Sequence, residues 1–108
     1  MKKKQCKPCE GFEKPLTDKQ VFKQLEHLND DWHYDHKFKT IYRKFEFKDH
    51  YTTIAFVNAI AWVSHTENHH PDLIVSYNSC QVCYTTHAIN GLSENDFICA
   101  KKIDTLVD

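Results

Sequence analysis

The segment Glu67-Asn68-His69-His70-Pro71-Asp72, followed at a distance by Tyr77 and His87, concentrates groups that can move protons near neutral pH. Imidazoles titrate near ~6.5, so they serve as acid or base without a large mismatch to the working pH. Pro71 biases His70 towards extended backbone, where adjacent side chains point to opposite sides. One histidine then faces a pocket while the other braces it or binds from its rim. The pair has a second reading, as imidazoles stabilising the last carbonyls of a helix. With His87 it has a third, a zinc site that keeps one position open for water. Ligands diverging from an extended dipeptide make a shared tetrahedral centre awkward, so no metal and no organic cofactor are expected.

The elements that must position these residues follow from the hydrophobic period. Residues 1–16, broken by Pro8, Gly11 and Pro15, read as a flexible N-terminal arm, and 17–108 as one domain. Thr17-Asp18-Lys19-Gln20 is a capping-box pattern, and Val21, Phe22, Leu25 and Leu28 follow at helical spacing. This predicts a helix from about Asp18 to Leu28. A short strand is expected at Trp32-His33-Tyr34 and a longer one over Phe38 to Phe47, with Ile41, Phe45 and Phe47 on the covered face. Asp49 to Thr66 is the longest helical candidate, and its centre, Ile54 to Val63, is apolar almost all round. Two strands, Leu73 to Tyr77 and Gln81 to His87, are joined around Asn78-Ser79. Ser93-Glu94-Asn95-Asp96 opens the last helix, with Phe97, Ala100, Ile103 and Val107 on one face. The order is α-β-β-α-β-β-α, an α+β class in which helices cover one face of a four-stranded antiparallel sheet. A hairpin returns the chain to its starting level, so His87 should close on His69 or His70. Asp96, three residues after Ser93, is a helix cap by spacing and a second candidate for shaping the field around the histidines.

Composition bounds the function. The chain has 108 residues, 41% hydrophobic, enough for one core. A formal charge of -1 argues against binding nucleic acid by neutralising phosphates. Lys2-Lys3-Lys4 is read as a solvated terminus. No export signal is visible, and the apolar run Ile54 to Val63 is too short to cross a bilayer. With five cysteines, an odd number, reduced thiols and a cytoplasmic location are expected. Cys6-Lys7-Pro8-Cys9 and Cys80-Gln81-Val82-Cys83 are both C-x-x-C. The second lies on an expected strand, where positions three apart face opposite sides, so ordinary thiols in an arm and a core are expected.

The spacing of these residues resembles the pterin-4a-carbinolamine dehydratase family. Its pattern, His-His-Pro, then Tyr, His and Asp separated by five, nine and eight residues, is met at His69-His70-Pro71, Tyr77, His87 and Asp96. Asn68, Pro71-Asp72, Tyr77-Asn78 and Gly91-Leu92-Ser93 extend the likeness, which runs from about Pro15 to the C-terminus. One departure stands out: the family often has an acid four residues before the first histidine, where this chain has His65, with Glu67 two residues later. The resemblance implies elimination of water from a 4a-hydroxytetrahydropterin to give quinonoid dihydropterin, recycling the cofactor of an aromatic amino-acid (phenylalanine) hydroxylase. It implies His69 and His87 as the proton-transfer pair, either one being the acid, and His70 as a binding group. Backbone around His69 to Pro71 and at Thr86, His87, Ala88 and Ile89 would hold the flat ring. Tyr77, His65, Glu67 and Asp96 are supporting candidates. A homodimer or homotetramer is expected, built on the apolar helix. The alternative reading is a protein-binding module, because animal members of the family also stabilise a transcription-factor dimer through a helix.

Overall fold

The computed structural model describes residues 5–7, 11 and 13–107. Lys2-Lys3-Lys4, Pro8 and Cys9 lie outside the described residues. Helix α1 is Asp18–Leu25, opened by the expected box: the Gln20 amide donates to Thr17 Oγ1 at 3.2 Å and Thr17 N–H to Gln20 Oε1 at 2.8 Å. It ends a turn earlier than its periodicity suggests. Leu28 remains buried, but it is reached through Leu28 N–H to Leu25 O, a tightened turn, rather than by continued helix.

Strands β1 (His33–Asp35) and β2 (Thr40–Glu46) form a hairpin, with His33 opposite Tyr42. β2 starts later than expected because Asp35 accepts from Phe38 N–H and Lys39 takes a positive φ of 54°, which commits these residues to the turn. Helix α2 (His50–Glu67) follows, then β3 (Asp72–Val75), β4 (Ser79–Tyr84) and α3 (Glu94–Asp104). All pairings are antiparallel in the order β1-β2-β4-β3, so β4 is central and β3 an edge. The architecture is α+β, three helices with a four-stranded antiparallel sheet, as the pattern predicts.

The core lies between sheet and helices: Ile41 and Phe45 of β2 and Cys80, Val82 and Tyr84 of β4 meet Phe56 and Ile60 of α2 and Phe97, Ala100 and Ile103 of α3. Arg43 shares the inward face of β2 between two apolar neighbours, a position that period-2 reading passes over. Its Nη1 lies 2.6 Å from Asp104 Oδ1, and the same carboxylate accepts from Trp32 Nε1 at 2.9 Å. Val107, expected on the apolar face of α3, lies beyond the helix end and is exposed. Only half of α2 is core. Thr53, Phe56, Ile60 and Val63 are buried, whereas Tyr51, Ile54, Ala55 and Trp62 look outward. No helix among the described residues is long and apolar enough to cross a membrane.

Candidate active site

Four residues, Asn68 to Pro71, carry the chain from α2 to β3, and Asn68 sets their direction. It closes the helix in left-handed backbone (φ 51°, ψ 40°), a conformation asparagine tolerates better than most residues. The Asn68 and His69 amides both donate to Ser64 O, and the chain then turns outward through His70 and Pro71. His69 and His70 diverge as extended neighbours should. The His69 side chain turns inward and is only 14% exposed, while His70 is exposed.

His69 stacks on Tyr84 of the central strand, ring centroids 5.7 Å apart and planes 11° apart. Its Nε2–H donates to Asp96 Oδ1 at 2.7 Å. Burial pulls the imidazole pKa down, but the hydrogen bond and charge of Asp96 outweigh it, with a smaller contribution from Cys99, so the net shift is upward. Asp96 is fully buried in the first turn of α3, where negative charge is favoured. Its second oxygen accepts from Thr86 Oγ1 at 2.7 Å and from the Ser93 amide at 3.0 Å. The capping carboxylate therefore joins the histidine segment to the segment leaving β4.

That second segment differs from expectation. β4 stops at Tyr84, so His87 does not end a strand; it opens a short 3₁₀ turn, His87–Ile89. The strand stops because Thr86 is diverted: its hydroxyl goes to Asp96, its amide donates to Gly91 O, and its carbonyl accepts from the Ile89 amide. Of the residues expected along this segment, His87 and Ala88 are exposed, whereas Thr86 and Ile89 are buried. Along the two segments that Asp96 joins, His70, His87 and Ala88 are exposed and Pro71 is half-buried.

The supporting candidates separate. Tyr77 lies past the end of β3 and stacks on His50 at 5.6 Å. Because Asp72 pairs with Cys83 and Val75 with Cys80, Tyr77 is at the opposite end of the hairpin from His69, roughly 10 Å or more along four strand residues. His65 is exposed and packs on Trp62. Glu67 turns towards α3 and the arm: Oε2 meets Lys102 Nζ at 2.6 Å and Oε1 accepts from Cys6 N–H at 2.8 Å. Burial opposes its charge, but these hydrogen bonds and Lys102 leave its pKa lowered. Sequence reasoning missed Asp96 as a direct partner of His69 and missed Tyr84 as the platform beneath it. The Ser93–Asp96 spacing was the signal for the first; the inward register of β4 was the signal for the second. No group of three or more His, Cys, Asp or Glu among the described residues has metal-binding geometry.

Comparison with known proteins identifies the family. The family model for pterin 4 alpha carbinolamine dehydratase matches residues 14–106. The chain belongs to that family. A relative from Nitrosospira multiformis, bearing the name "Putative pterin-4-alpha-carbinolamine dehydratase", is 61% identical over 103 residues, covering 95% of this chain and 88% of that one. A protein of the same name from Legionella pneumophila is 52% identical over 104 residues, covering 96% and 92%. Among solved structures, a transcriptional coactivator/pterin dehydratase from Brucella melitensis superposes with a TM-score of 0.82 at 31% identity, covering 87% of this chain and 99% of that chain. A pterin dehydratase-like RuBisCO assembly factor of the alpha-carboxysome, at 22% identity and a TM-score of 0.63, shares the fold.

Proposed function

We propose that this dehydratase-family protein is a hydro-lyase that removes water from 4a-hydroxytetrahydropterin, giving quinonoid dihydropterin. The observation that carries the reading is the 2.7 Å contact between His69 and buried Asp96, a carboxylate that also holds Thr86, so that exposed His70 and His87 each follow a residue it anchors. Hydroxide is a poor leaving group, so the C4a oxygen must be protonated as its bond breaks. His69 is the acid. Asp96 favours the charged imidazole against burial and, by occupying Nε2, leaves Nδ1 as the nitrogen that gives up the proton. The N5 lone pair forms the C4a=N5 bond, and His87 takes the N5 proton. One water leaves, and solvent returns the proton from His87 to His69. His70 orients the ring from the rim, with Pro71 and the exposed backbone at His87 and Ala88 against its flat face. Positioned acid and base groups together supply roughly 10²–10⁴-fold, enough for an elimination already assisted by the adjacent nitrogen.

The test is an assay on synthetic carbinolamine. His69→Ala and His87→Ala should each slow the catalysed dehydration about 10²-fold or more with unchanged circular dichroism. Wild-type rates in both variants would refute the assignment. In the cell the product would be reduced and returned to an aromatic amino-acid hydroxylase in the cytoplasm. A homodimer or homotetramer is supported by the outward apolar face of α2, where Trp62 is 67% exposed. The same face, with the coactivator half of the Brucella protein's description, supports the second reading, a protein-binding module.

A further inference from the structure

The two C-x-x-C pairs are not used by this chemistry, and the fold separates the members of the second. Cys80 faces the core and Cys83 the other side of β4, so they cannot join unless the strand breaks. Cys6 instead meets a cysteine 93 residues away: its sulfur is 3.3 Å from that of Cys99 in α3. The approach is built by several contacts. Cys6 N–H donates to Glu67 Oε1, Lys7 N–H donates to Asn95 Oδ1 at 2.9 Å, and Asn95 Nδ2 donates to Lys7 O at 2.6 Å. Glu67 is itself anchored by Lys102. Cys6 is partly open to solvent, while Cys99 is buried. The hydrogen bond between the two sulfurs, together with burial, pushes the Cys6 thiol up, while the same bond, acting against burial and helped by His69, makes the Cys99 thiol more acidic than an ordinary one.

We propose that Cys6 and Cys99 are a reversible disulfide site that fastens the N-terminal arm to α3 behind His69, formed by exchange with a low-molecular-weight disulfide. An S–S bond is ~2.05 Å long, so the sulfurs must close by about 1.3 Å, within reach of side-chain torsions. Cys99, the more acidic thiol, is buried, so Cys6, the solvent-reachable member, makes the first and slow attack: its sulfur bonds to one sulfur of the small disulfide as its proton is lost, and the first small thiolate leaves with that proton. Cys99 then attacks the Cys6 sulfur of the mixed disulfide. The Cys6–Cys99 bond forms, the mixed bond breaks, and the second small thiolate leaves with the Cys99 proton. Two thiols of the protein are oxidised and one small disulfide is reduced to two thiols. Bonds of this kind in a reducing compartment are transient, which suits a clamp that a thiol pool can reopen.

The experiment equilibrates the full-length reduced protein with oxidised glutathione, alkylates the remaining thiols and maps the peptides. Expected is the loss of two of the five thiols and an unalkylated mass lower by about 2 Da. A cross-linked peptide holding Cys6 and Cys99 should appear and vanish with dithiothreitol. Cys9→Ser should still form it, whereas Cys99→Ser should stop at one glutathione adduct on Cys6. A Cys6–Cys9 bond in its place, persistent adducts without a cross-link, or no thiol loss would each overturn the proposal. The wild-type peptide map decides the matter even where a serine variant fails to fold.

Discussion

A buried carboxylate holding three donors cannot rotate, and a ring hydrogen-bonded to it and stacked on a tyrosine cannot rotate either. Asp96 gives one oxygen to His69 and the other to Thr86 and the Ser93 amide, while Tyr84 supports the imidazole face. Because Asp96 raises the His69 pKa against burial, His69 contributes pH-dependent stability. The contribution is complete below the ordinary imidazole value and is lost as pH rises through the higher folded value. Asp96→Asn should therefore move the His69 titration downward, and its loss of thermal stability relative to wild type should be larger near about pH 5.5 than near about pH 9. The same titration of the His69 ring carbon resonances in both proteins would contradict this account. The Ser93–Asp96 spacing makes the cap legible in sequence. The contact to His69 is not, because it joins residues 27 positions apart through the packing of α3 against the end of α2.

At the scale of elements, the linkers aim the side chains. Asn68 ends α2 with positive φ, and that turn sends His69 inward and His70 outward. Asn68→Ala should lose about 1–2 kcal/mol, the steric cost of left-handed backbone for an ordinary side chain, while Asn68→Gly should be close to neutral. Urea unfolding of the two variants separates these outcomes, and equal stability would argue that the turn bears no strain. The loop after β4 has its own constraint. Gly91 lies so close to the arm that a Cβ there would meet Pro15 Cβ at 2.6 Å. Periodicity found all seven helices and strands but carried β4 on to His87, since nothing in Thr85-Thr86-His87 opposes a strand locally. The diversion of Thr86 towards Asp96 is a tertiary event.

Across the whole molecule, large apolar side chains stay exposed on two elements among the described residues. Tyr51, Ile54 and Trp62 on α2 are exposed, and so are Ile74 and Val75 on the edge strand β3. Trp62→Glu should shift the sedimenting species from oligomer to monomer and leave the circular dichroism unchanged. A wild-type protein that already sediments as a monomer would remove self-association from the proposed function. The sequence by itself determined the element order, the α+β class and the capping boxes, because period, caps and turns are local properties. Only the tertiary structure decided that Asp96 partners His69, that Tyr77 lies at the far end of the hairpin, that Arg43 enters the core to meet Asp104, and that Cys6 meets Cys99. Each of these depends on which surfaces of distant segments pack together, and that is set by burying the whole core at once.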